Sequence, residues 1–174
     1  MIITQEQENS LIEDLISKIK DQIVGEERFI PTKSLIINVS PDYSSIVAMR
    51  LAHGLSKDGE MVNILGLDTA YSDDTKEKID SYKMLAEGLL GVVTQSKAFT
   101  TIFIVSSEVE TGDTYSRIFN KLKDSADSDV KIYSVALVEH TSSRFQSNFV
   151  GLYAESPVRF WWEAPNKHRE ISEG

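Results

Sequence analysis

Thr100 to Leu122, TTIFIVSSEVETGDTYSRIFNKL, is the stretch whose reading decides the fold. Ile102 to Val105 form a short β-branched and aromatic run. Thr111-Gly112-Asp113-Thr114 then supplies a small polar turn that opens a helix with Ile118, Phe119 and Leu122 inward. In an open α/β sheet, ligands sit beyond the carboxyl ends of the strands, where a helix N-terminus offers unpaired N–H groups and positive potential to an anion. The hydroxyls of Thr111 and Thr114 beside Gly112 would complete a cradle for a phosphate. An ordinary strand-to-helix turn capped by Thr and Asp accounts for the same residues, and the local pattern leaves both readings open.

Within that stretch, IFIVSSEVETGDT resembles the ribose-phosphate signature of type I phosphoribosyltransferases: an apolar strand, two acidic residues, two apolar residues, a variable position, then Thr-Gly-x-Thr. Downstream, LVEHT (Leu137 to Thr141) and FQSNFVG (Phe145 to Gly151) resemble the purine-binding segment of the hypoxanthine-guanine branch. The resemblance implies an α/β fold with a mainly parallel central sheet, flanking helices and a small C-terminal hood-like segment. It implies one domain over residues 1–165 and a flexible tail over 166–174.

Roles follow residue by residue. Thr111, Gly112, Asp113 and Thr114 match the turn that holds the 5′-phosphate. Ser106 and Ser107 fall where the family has the acidic pair that binds the ribose hydroxyls, directly or through Mg²⁺. Two hydroxyls can hydrogen-bond a ribose, but without the carboxylates the hold on a divalent cation is weakened, so Mg²⁺ is a reduced expectation. Glu110 takes the place of an aspartate near the purine N7 and is the catalytic candidate; a solvated loop carboxylate is the other reading. Glu139 stands where the family has a lysine that recognises the 6-oxo group, a charge reversal that suits a 6-amino base better. Phe149, followed by Val150 and Gly151, matches the aromatic that stacks on the base, and a plain core residue is as good a reading. Trp161, in the Trp161-Trp162-Glu163 ending, would wall the base pocket or make a subunit contact.

Two neighbours of these residues read as bystanders. In a strand-to-turn geometry Glu108 faces away from Ser107, and His140, beside a strand end, reads as a surface histidine.

Outward from this centre the pattern stays α/β. Leu11, Ile12, Leu15, Ile16, Ile19 and Ile23 recur by three and four, which predicts a helix over 6–23 with Thr4 as N-cap and Gly25 closing it. Ser34 to Ser40 reads as a buried strand. The loop from Pro41 to Ser45 resembles the family's pyrophosphate clamp without its glycine or basic residue, and Arg50 lies roughly two helical turns further on. A helix is expected over 46–55, a strand over 62–67, an acidic loop over 68–74 and a core-facing helix over 75–93. Strands over 130–139 and 158–162 complete the chain.

Composition bounds the partners. At 174 residues the chain can hold one sizeable core, and 41% hydrophobic with 26% charged residues is ordinary for a globular domain. A net charge of -9 argues against nucleic acid and an anionic membrane surface. There is no cysteine, which excludes disulfides, thiol catalysis and Cys-ligated zinc. The polar N-terminus is unlike a secretory signal and no apolar run spans a bilayer, so a cytoplasmic setting is expected.

The partner implied is a nucleotide or a phosphoribosyl-type small molecule, with a homodimer by family analogy. Two readings of activity stand side by side. One is a purine phosphoribosyltransferase of nucleotide salvage with altered metal and base contacts. The other is a non-catalytic relative that kept the phosphate cradle as a regulatory or structural module.

Overall fold

The computed structural model describes residues 1–24, 29–39, 44–66, 91 and 98–163. Five parallel strands form the sheet, in the order β3-β2-β4-β5-β6. They are β2 (Ser34–Asn38), β3 (Asn63–Gly66), β4 (Thr101–Val109), β5 (Lys131–His140) and β6 (Phe149–Ala154). β4 is central because its first half is apolar on both faces. Leu35 and Ile37 of β2 pack with Ile102, Ile104 and Ala136 on one side of the sheet, while Ile36 packs with Phe103, Val105, Val135 and Leu137 on the other.

Each face is closed by helices whose apolar stripe fits it. α1 (Gln5–Ile19) brings Ile12, Leu15 and Ile19, and α2 (Ser44–Leu55) brings Val47, Leu51 and Leu55, to the Phe103 face. α3 (Asp113–Ser125) brings Tyr115, Ile118 and Leu122 to the Ile102 face. Thr4 is the N-cap of α1 in a full capping box with Gln7: the Gln7 N–H donates to Thr4 Oγ1 at 3.2 Å and the Thr4 N–H to Gln7 Oε1 at 2.9 Å. The helix passes into one π-type stretch, Lys20–Val24, so the single helix expected over 6–23 changes its winding near its end.

The hood is built by the two ends of the chain. β1 (Ile2–Ile3) and β7 (Arg159–Phe160) pair in parallel. Trp161 and Trp162 both donate their indole N–H to Glu8 Oε2, at 2.6 and 3.0 Å, and Glu8 is buried. Two polarised donors satisfy a carboxylate that would otherwise be costly inside. The strand expected over 158–162 is therefore only two residues long, because Trp161 and Trp162 turn away to reach α1.

Two further expectations are corrected. The strand read as Ile102 to Val105 runs on to Val109, and FVGLYA, read only as a motif, is the strand β6. The loop over 68–74, the helix over 75–93, Pro41 to Tyr43, Gly25 and the tail over 166–174 lie outside the described residues. Ser44 and Ser45 begin α2. No described helix is long and apolar enough to cross a membrane.

Candidate functional site

The carboxyl halves of β4, β5 and β6 carry the candidate residues, and there the strict alternation of faces lapses. Val105 and Val109 are four residues apart and should share a face, yet Val105 joins the Phe103 core and Val109 the Ile102 core. The register passes from Ser106↔Ala136 to Glu108↔Val138, and from Ala136↔Val150 to Val138↔Leu152, skipping the level of Ser107, Leu137 and Gly151. Gly151 is needed at this level: a Cβ there would lie 2.6 Å from the Leu137 carbonyl oxygen. The lapse sends Glu108 toward Val158 on one side and Glu139 toward Tyr115 on the other.

On the α3 side, Gly112 is the N-cap of α3 and has φ +78°, a left-handed conformation that suits glycine. The first backbone bond of the helix runs from the Ser116 N–H to the Gly112 carbonyl at 2.8 Å, so the N–H groups of Thr114 and Tyr115 have no intrahelical acceptor. The Asp113 N–H makes only a long contact, 3.4 Å, with Thr111 Oγ1. Thr111 and Asp113 are exposed and Thr114 is half-buried. The turn thus has donors free at the rim of a parallel sheet.

The turn is buttressed from behind by the β5–β6 loop. The Arg144 N–H donates to the Thr111 carbonyl at 3.1 Å, and Phe145 packs edge-on to Tyr115 and Phe119 with centroids 5.2 and 5.5 Å away. Buried Tyr115 shares its hydroxyl proton between the carbonyls of Ile104 and Val135, the latter at 2.7 Å. Burial pushes that phenol well above its usual pKa. Glu139, also buried, accepts the Ser147 N–H at 2.8 Å and so holds the same loop.

On the other side lies a pair that the sequence reading set aside. Glu108 Oε1 and His140 Nε2 are 2.7 Å apart, with side chains only 15% and 9% exposed. Burial raises the Glu108 pKa most. Its hydrogen bond and charge interaction with His140 and the Val158 N–H pull it down, and Glu110 pushes it up. His140 is therefore no surface histidine. No sequence signal joins residues 32 apart; only the β4–β5 register does.

The remaining candidates separate. Ser106 and Ser107 are buried, and Ser106 Oγ–H donates to the Glu108 carbonyl at 2.8 Å. Glu110 is exposed. Phe149 pairs in register with Val135, four residues before the level of Glu139, and its ring sits on Tyr133 in the core. The Val150 carbonyl accepts from Lys18 Nζ at 3.0 Å. Trp161 is in the hood on Glu8. Arg50, near the expected clamp, donates to Asn9 on α1 instead.

Among the described residues no three His, Asp or Glu side chains converge on one point. The donors at the acidic-pair positions are neutral hydroxyls, one already hydrogen-bonded, and these residues do not fit Mg²⁺.

No family model and no curated protein matches the chain. Solved structures do. A purine phosphoribosyltransferase from Pyrococcus horikoshii Ot3 superposes with TM-score 0.61 at 16% identity, covering 94% of this chain and 93% of that one. The Helicobacter pylori xanthine-guanine-hypoxanthine phosphoribosyltransferase gives 0.61 at 15%, covering 94% and 95%. The Leishmania tarentolae HGPRT-ase in complex with GMP gives 0.64 at 15%, covering 87% and 79%. The fold is that of the type I phosphoribosyltransferases, and the likeness is to the purine branch.

Proposed function

We propose that the chain is a purine phosphoribosyltransferase-like protein of the nucleotide-salvage type that binds a nucleotide or sugar phosphate at Thr111, Gly112, Asp113 and Thr114. The observation that carries this reading is the left-handed Gly112 cap with unbonded N–H groups at the carboxyl rim of a parallel sheet. Ser106 and Ser107 lie one strand-end back, toward the ribose. Glu110 is the exposed carboxylate beside the turn and the catalytic candidate. Glu139, Phe149, Val150 and Trp161 support the base end from behind, through the loop, the core, α1 and the hood. A cytoplasmic setting and a homodimer accompany this reading.

Standard phosphoribosyl transfer to hypoxanthine or guanine is weak or absent in this reading. Such transfer proceeds through a cationic ribose with diphosphate leaving, and both call for nearby negative charge and a metal. The alternative, a non-catalytic binding module, is favoured specifically by Ser106, whose hydroxyl is tied to the Glu108 carbonyl, and by Glu108, whose carboxylate is tied to His140.

Calorimetry decides. Ribose 5-phosphate binds the wild type with an affinity indifferent to Mg²⁺, and Thr114→Ala weakens it about tenfold, the worth of one hydrogen bond to a charged group. Absence of any phosphate binding overturns the reading. Robust Mg²⁺-dependent turnover of a 6-oxopurine with phosphoribosyl diphosphate removes its non-catalytic part.

A further inference from the structure

We propose that His140, held by Glu108, reads the base end of the ligand through Nδ1 and selects a heterocycle that presents an exocyclic amino donor rather than a carbonyl at that point. The inference rests on the phosphate-turn reading above and adds to it the chemistry of the other end of the ligand.

His140 ends β5 and Glu108 lies next to the end of β4, so the pair stands on the same carboxyl rim as the turn. Glu108 is three residues before Thr111, at most about 10 Å of extended chain. A ligand whose phosphate rests on Gly112 would extend its base along this rim toward the pair. The imidazole is nine-tenths buried and its Nε2 is committed to Glu108. Its Nδ1 has no partner among the described residues, and it is not one of the side-chain atoms sealed from solvent without a partner, of which Ser147 Oγ is the single case among them. A ring nitrogen with no protein partner that is reachable from outside is free to accept a hydrogen bond from a ligand.

The carboxylate decides which complement. A carboxylate only accepts hydrogen bonds, so Glu108 holds the imidazole proton on Nε2 and leaves the lone pair on Nδ1. The ring then accepts from an exocyclic amino group and meets a carbonyl lone pair in the same place with repulsion. Glu139, at the position where the sequence suggested base selection, instead holds the Ser147 N–H on the α3 side. The selecting function has moved to the neighbouring residue and the other side of the sheet. His140 touches the ligand in this scheme, and Glu108 is a positioning residue.

The test is calorimetric titration at pH 8, well above where free imidazole titrates, with AMP, IMP and ribose 5-phosphate as probes. In the wild type AMP binds about tenfold more tightly than IMP. In His140→Phe the two fall within about twofold of each other while ribose 5-phosphate is unchanged, and His140→Asn, which keeps an acceptor, retains the AMP preference. On the intact wild type, ¹⁵N spectra place the His140 proton on Nε2, AMP shifts the Nδ1 resonance and ribose 5-phosphate does not. In Glu108→Ala the ring loses that fixed tautomer. If ribose 5-phosphate binds but IMP binds as well as AMP, or the preference survives in His140→Phe, or Nδ1 ignores AMP, this inference alone is overturned. If ribose 5-phosphate fails to bind, both readings fall together.

Discussion

Thr101–Val105 and Ser106–Val109 belong to one strand and are held in different ways. The first half pairs in register with β2 on one side and β5 on the other, and its side chains alternate between two apolar cores. The second half pairs with β5 alone, breaks the alternation, and carries polar side chains with specific partners: Ser106 bonds the Glu108 carbonyl within the same strand, and Glu108 bonds His140 on β5. In the first half shape and hydrophobicity do the holding, and many apolar residues would serve. In the second half specific partners hold it, and few substitutions preserve them. A fold can therefore persist on the first half while the chemistry of the second changes, and a chain 16% identical to a purine phosphoribosyltransferase can share its fold.

The largest expected effect tests the apolar half. Phe103 is 1% exposed, with Tyr133 stacked at 5.7 Å and Phe29 edge-on at 6.3 Å. Phe103→Ala costs about 3–5 kcal/mol in denaturant unfolding, the transfer loss plus the cavity. Ser106→Ala costs about 1 kcal/mol, one hydrogen bond to a carbonyl. Equal losses in the two variants would break the contrast between the halves.

Next in size is the turn that follows the strand. At Gly112 an added Cβ would lie 2.5 Å from Phe145 Cβ and 2.9 Å from its backbone nitrogen, and φ is +78°. Strain and overlap act together, and because one neighbour is backbone, trimming Phe145 does not relieve them. Gly112→Ala is expected to lose about 2–3 kcal/mol and, with it, ribose 5-phosphate binding. A variant as stable as the wild type would show that the turn is not left-handed in solution.

The same contrast explains what could be read from sequence. The α1 stripe, the Thr4 cap, β2, α2 and the Thr111–Thr114 helix start are local: periodicity and one capping residue specify each. The apolar run marks the strand only from Ile102 to Val105, and pairing with β5 carries it on through Ser106-Ser107-Glu108 to Val109, a tertiary extension that local propensity does not announce. β6 stayed hidden because Gly151 weakens its strand pattern, and its need appears only from the Leu137 carbonyl beside it. Glu108 with His140, and Glu8 with Trp161 and Trp162, join residues 32, 153 and 154 apart, and no local pattern announces such a meeting. The helix start at Thr111–Thr114 is legible in the sequence; the partners of the residues around it are not.

The smallest effect is also the most diagnostic for the polar half. Because burial outweighs His140 and the Val158 N–H, Glu108 in the folded chain holds its proton to higher pH than in the unfolded chain. A group whose pKa is raised on folding contributes stability that is present below its unfolded value, about 4.3 for glutamate, and is lost as pH rises through the folded value. Glu108→Gln cannot titrate there. Its Tm relative to wild type should therefore rise across that interval and then stay level, by a few degrees at most for one half-screened carboxyl. Melting curves of the two proteins at closely spaced pH values measure this directly. A relative Tm that falls with rising pH would mean that the imidazole holds the carboxylate more strongly than burial opposes it. Glu108 would then be an ordinary ion-pair partner, and the polar half of β4 would be held by charge attraction in spite of its burial.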